Sequence, residues 1–178
     1  MAPVSIERMF VLGIDPGLTR CGFGLIEGSL QGAESFRAHG AGVLESAKSD
    51  RVEDRLGSLM VDLRALIDEM TPDVVVVERV FFQRNARTAI SVAQASGLAI
   101  GLAGERGIDV RQFTAQEVKL AVTGYGAASK AQVQAMVATH CSLIEIPRPP
   151  DAADALALAI TYLMTSRVER RLGVGSHQ

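Results

Sequence analysis

Apolar positions along the chain recur with two different periods, and the period separates strand from helix. MFVLGID (9–15) is a short β-rich run stopped by Pro16 and Gly17, and CGFGLIEG (21–28) has strand character with glycines that suit a tight sheet. Residues 33–44, with alternating stretches and the small AGV, predict a third strand. Three consecutive strands with short connections favour an antiparallel meander. From Asp50 to Met70 the apolar positions Val52, Leu56, Leu59, Met60, Leu63, Leu66 and Ile67 recur at helical spacing, and Pro72 ends the run. DVVVVERV (73–80) follows at once. Its four valines are stiff at the first side-chain torsion, and so apolar a run fits a strand covered on both faces.

Downstream, the pattern predicts a helix rich in small residues over about 86–104, a short strand IDVRQF (108–113), a helix opened by Thr114, and another from about Ser129 to Thr139. TAQE is a capping box, in which the Thr114 hydroxyl and the Glu117 carboxylate each bind the other residue's backbone amide. After the PRPP break, DAADALALAITYLMTSRVERR (151–171) predicts a last helix, apolar almost all round and therefore buried. GVGSHQ (173–178) reads as a frayed tail. Antiparallel strands followed by alternating strands and helices imply an α/β layered fold: a mixed sheet of about five strands flanked by helices, in one domain over residues 1–172.

Composition adds constraints. The chain has 178 residues, of which 48% are hydrophobic and 21% charged, as in ordinary globular proteins. No apolar run approaches the roughly 20 residues of a membrane span, and MAPVSIER lacks the basic start, apolar core and cleavage site of an export signal. The expectation is a soluble cytoplasmic protein without a membrane partner. Cys21 and Cys141 form no CxxC pair and are read as reduced, packed thiols.

A net charge of −2 argues against bulk attraction to nucleic acid. Its distribution changes the picture. Between Arg79 and Lys130 the bases Arg79, Arg84, Arg87, Arg106, Arg111, Lys119 and Lys130 outnumber the acids Glu105, Asp109 and Glu117, whereas acids dominate from Glu45 to Asp73. Either one face is basic, or these are scattered solvated charges.

Four carboxylates, Asp15, Glu78, Asp151 and Asp154, stand at the ends of predicted elements against apolar sequence, where an acid is costly. Each has a plain alternative: Asp15 begins a turn with Pro16 and Gly17, Glu78 is a surface glutamate, and Asp151 caps the last helix with Asp154 in its first turn. Together they mean more, because α/β sheets gather functional groups at strand ends and residues three apart share one helix face. Four acids converging would repel strongly, and hard divalent cations with oxygen ligands, Mg²⁺ or Mn²⁺, are the natural remedy. Paired cations about 4 Å apart activate a water on one side of a phosphodiester and stabilise the departing 3′ oxygen on the other. His39, His140 and His177 show no ligand spacing and are assigned no catalytic role.

GIDPGLTRCGFG, VVVVERVFFQRNARTAISVAQASG, QEVKLAVTGYGAASKAQV and DAADALALAI, in this order and spacing, resemble the RuvC family of Holliday junction resolvases from about Phe10 to Ile160. The resemblance implies a ribonuclease H-like fold, a homodimer, and Mg²⁺-dependent cleavage of two strands of a four-way DNA junction in recombination and repair, with two cations per site and Mn²⁺ able to substitute. It maps the family's acids onto Asp15, Glu78, Asp151 and Asp154; some relatives carry histidine where Asp151 stands. Phe81 matches an aromatic that stacks on a base near the crossover, Lys119 and Lys130 match basic residues near the scissile strand, and Arg84 joins them as a DNA contact. As plain alternatives, Phe81 is a core residue and the lysines are ordinary surface charges.

GYGAASK resembles a phosphate cradle, without the GK[ST] ending of a nucleotide-binding loop. TAISVAQASGLAIGLAG, with Ala89, Ala93, Ser96, Gly97 and Gly101, carries small side chains that let helices approach closely; the resemblance places the dimer contact there, and packing within one subunit is the alternative. Branch-migration proteins of the RuvAB type are partners implied by the resemblance. Three other readings stay open: an actin-like or sugar-kinase ATPase, which needs two such domains; a noncatalytic junction-binding protein, which needs no converging acids; and a general structure-selective or RNA-strand endonuclease.

Overall fold

A computed structural model of the chain describes residues 8–31, 36–79 and 86–173. The strands are β1 (Arg8–Asp15), β2 (Arg20–Ser29), β3 (Arg37–Glu45), β4 (Val74–Glu78) and β5 (Asp109–Phe113). The helices are α1 (Val52–Met70), α2 (Ala86–Glu105), α3 (Ala115–Thr123), α4 (Lys130–His140) and α5 (Pro150–Arg171). One five-stranded sheet runs in the order β3-β2-β1-β4-β5. Its first three strands are the expected antiparallel meander, and β1–β4 and β4–β5 pair in parallel. The described part of the third strand runs Arg37–Glu45; residues 32–35, where the expected strand starts, lie outside the described residues.

Each face of the sheet carries its own core. Along β4 the side chains alternate: Val74 and Val76 pack toward α3, α4 and α5, whereas Val75 and Val77 pack toward α1 and α2. All four are buried, as expected of a strand covered on both sides. The same two-residue period places Asp15, in step with Val11, and Glu78, in step with Val76, on the α5 face.

Two glycines explain how close α5 comes. A Cβ on Gly13 would lie 1.9 Å from the Ala155 carbonyl oxygen, and one on Gly22 would lie 2.2 Å from that of Asp151. β1 and β2 therefore present bare backbone, and α5 rests directly on it. The helix is buried almost all round, from Ala152 and Ala153 through Leu156 and Ile160 to Leu163. Its start differs from the capping alternative: Pro149 is the N-cap, and Asp151 lies inside the first turn without a capping bond. Pro150 suits that first position because its missing N–H is one that the helix leaves unpaired.

The capping box at Thr114 forms, with Thr114 N donating to Glu117 Oε2 at 2.7 Å and Glu117 N donating to Thr114 Oγ1 at 3.1 Å. A second box, Ser129 with Gln132, opens α4. Cys21 and Cys141 are buried and unbridged, and burial pushes their thiols up to about 12 and about 11. Among the described residues no helix is long and apolar enough to cross a membrane.

Candidate active site

The site lies where β1 and β4 end beneath the first turn of α5. Parallel pairing sets Ile14 beside Val77, so Asp15 and Glu78, each one residue further on, leave the sheet side by side. Asp154 descends onto them from α5, and Lys130 enters from the N-terminus of α4. Asp15, Glu78, Asp154, Lys119 and Lys130 form the polar part of a cleft of about 360 Å³, and Val118, Val133 and Leu158 form part of its apolar wall. Three of the four acids and both lysines singled out in the sequence thus share one cleft.

Asp151 takes a different position. It is absent from the cleft lining; its Oδ2 accepts from Arg20 Nε at 3.0 Å, and Arg20 Nη1 also stands 3.2 Å from Glu45 Oε1. Its charge still reaches the centre, acting on both Asp15 and Lys130. Phe81 and Arg84 lie outside the described residues. The phosphate-cradle reading of GYGAASK is narrowed, because the amides of Ser129 and Gln132 already bond within the second capping box.

Burial and mutual repulsion govern the site's electrostatics. Asp15 is pushed up to about 7, first by burial and then by Glu78, Asp154 and Asp151, with Lys130 pulling the other way. Glu78 is also raised, by burial and then by Asp154. Lys130 Nζ lies 2.5 Å from Asp154 Oδ2. Burial works against its charge, yet that hydrogen bond and the charges of Asp154, Asp15 and Asp151 hold its ammonium above the ordinary lysine range. Lys130 and Arg20 offset only part of the four carboxylates.

The donors are all hard oxygens, the set that Mg²⁺ and Mn²⁺ take, and the cleft already draws in one cation, the Lys130 ammonium. The fit is one of donor chemistry and charge. Among the described residues, no three Asp, Glu, His or Cys side chains close into a ready-made metal cage.

The sequence reading missed Arg20. Its only local signal is a basic residue just beyond the Asp-Pro-Gly turn; its partner stands 131 positions away.

Comparison with known proteins agrees with this architecture. A protein from Salinispora arenicola named crossover junction endodeoxyribonuclease RuvC is 50% identical over 169 residues, covering 94% of this chain and 95% of its own. One of the same name from Frankia alni is 48% identical over 164 residues, covering 92% of this chain and 82% of its own. Among solved structures, Thermus thermophilus RuvC in complex with a Holliday junction substrate superposes with a TM-score of 0.83 at 33% identity, covering 93% of this chain and 97% of that one. The sheet and its flanking helices are a ribonuclease H-like α/β fold. The family model described as crossover junction endodeoxyribonuclease RuvC matches residues 11–162, and the chain belongs to the RuvC family.

Proposed function

We propose that the chain is a structure-selective endodeoxyribonuclease that resolves four-way DNA junctions by hydrolysing one phosphodiester bond in each of two strands, using divalent cations. The observation that carries this reading is the convergence of Asp15, Glu78 and Asp154, from three separate stretches of sequence, in one cleft with Lys119 and Lys130. Asp15, Glu78, Asp154 and Asp151 would hold Mg²⁺, with Mn²⁺ able to substitute, at two positions per site. When bound, the cations supply Lewis-acid activation of the attacking water and stabilisation of the departing 3′ oxygen.

The protein's own groups do the rest. Lys119 and Lys130 place positive charge where a scissile phosphate enters, and Lys130 is free to turn to that phosphate once Asp154 is otherwise engaged. The apolar wall of the cleft limits water on one side. Asp15 must lose its proton to serve as a ligand, so its retention of a proton up to about pH 7 makes the site compete with acid for metal. Phe81 and Arg84 belong to the same reading as a stacking aromatic and a DNA contact.

A junction presents two equivalent strands, so paired cuts need two sites related by a two-fold axis. One chain supplies one site, and a homodimer through α2 supplies the second. Ala89 and Ser96 are buried within the subunit, but Ile90, Gly97, Gly101 and Gly104 share an exposed face of α2, and a Cβ added to any of these glycines meets nothing. Docking of a RuvAB-type branch-migration complex, one nuclease domain over 1–172 with a short tail, and a cytoplasmic location complete the reading.

The test is cleavage of a synthetic immobile four-way junction beside linear duplex and RNA–DNA hybrid, in Mg²⁺, Mn²⁺ or chelator. We expect paired metal-dependent cuts in the junction alone. Asp15→Asn and Asp154→Asn should each lower cutting at least about a hundredfold while junction binding in a gel shift survives. Equal cleavage of all three substrates, or loss of binding in step with cutting, counts against the assignment.

A further inference from the structure

Arg20 joins two acids that lie far apart in the chain. It occupies the first position of β2, directly opposite Glu45 in the β2–β3 pairing. Its Nε donates to Asp151 Oδ2 at 3.0 Å, and its Nη1 stands 3.2 Å from Glu45 Oε1. The fold brings the partners together: two residues along β2, the bare backbone of Gly22 abuts the Asp151 carbonyl, which fixes the first turn of α5 over this strand. A charge-assisted bond thus commits one oxygen of Asp151, and Asp151 is the one acid of the four that does not line the cleft.

We propose that Arg20 is a positioning residue: by pairing with Asp151 it fixes the orientation of that carboxylate and offsets its charge, and so sets the affinity of the acidic cleft for divalent cations. The inference rests on the reading that these acids bind metal, and it adds a residue that does not line the cleft. Groups that hydrogen-bond a ligating carboxylate tune both its aim and its basicity. A guanidinium does so with directional donors that can serve two carboxylates at once, whereas an ammonium is a point charge on a flexible stem. Held in this way, Asp151 attracts a cation less strongly than a free carboxylate but offers its remaining oxygen in a fixed direction.

The two consequences oppose each other, which makes the inference testable. Mn²⁺ binding to the whole protein is followed by electron paramagnetic resonance, beside junction cleavage, for the wild type, Arg20→Gln, Arg20→Lys and Asp15→Asn. Arg20→Gln is expected to bind Mn²⁺ about three- to tenfold more tightly, because a nearby positive charge is gone, and yet to cleave more slowly. Arg20→Lys keeps the charge and loses the double contact, so its Mn²⁺ affinity stays close to that of the wild type while its cleavage is also slow. A purely structural role would weaken binding and cleavage together in Arg20→Gln, and that result, or any result other than tighter Mn²⁺ with slower cutting, overturns the inference. No Mn²⁺ binding by the wild type, or binding untouched by Asp15→Asn, overturns the metal reading instead.

Discussion

Asp15 shows what one residue contributes when burial and like charge act together. Its carboxyl, ordinarily near 3.8, is pushed up to about 7, so the folded chain holds a proton there that the unfolded chain releases. The folded state therefore binds more protons between those values. The contribution of this group to stability is greatest below about pH 4 and declines as pH rises to about 7. The full difference corresponds to at most about 4 kcal/mol. In chelator, thermal melts of the wild type should lose stability from this group across that window, Asp15→Asn should flatten the loss, and added Mg²⁺ should restore stability at pH 8. A pH profile unchanged by Asp15→Asn would show that the carboxyl titrates normally.

At the scale of an element, the decisive contact is α5 on the backbone of β1 and β2. Gly22→Ala places a Cβ 2.2 Å from the Asp151 carbonyl oxygen, a clash with backbone that a side-chain rotation cannot relieve. We expect a loss of about 3 kcal/mol in urea denaturation and a drop in cleavage, since the same shift moves Asp151 and Asp154. Gly57 in α1 is the control: a Cβ there meets nothing, and Gly57→Ala should gain about 1 kcal/mol from helix propensity with cleavage unchanged. Equal effects of the two substitutions would mean that α5 does not sit as closely on the sheet as described.

For the whole molecule the question is whether two chains pair their sites, as the proposed dimer requires. The outward glycines of α2 leave room for a second helix, so Gly101→Arg should convert the proposed dimer into monomers in sedimentation equilibrium. Because Gly101 lies on the exposed face of α2, away from the cleft, each monomer keeps its acids. A cruciform plasmid should then yield nicked circles in place of the linear product of paired cuts. A variant that remains dimeric would place the contact elsewhere.

Local pattern was enough for the element order, because strand and helix periods are properties of neighbouring residues. The valines of β4, the capping box at Thr114 and the spacing of α1 needed no tertiary information. The candidate acids were legible for the same reason, as carboxylates placed where burial is costly. Other features depended on contacts between distant residues, which no local period encodes. The two-residue alternation put Asp15 and Glu78 on the α5 face, but only parallel β1–β4 pairing made them neighbours. Glycines in β1 and β2 read as strand residues, and only the packed helix showed that their missing Cβ atoms admit α5. The small residues of α2 looked alike in sequence, and only the folded chain divided them into buried Ala89 and Ser96 and outward Gly97 and Gly101. Residue type and local pattern picked out the candidate acids and lysines; which of them pair, Asp154 with Lys130 in the cleft and Asp151 with Arg20, was set by the packed fold, because ion pairs are chosen by distance in space.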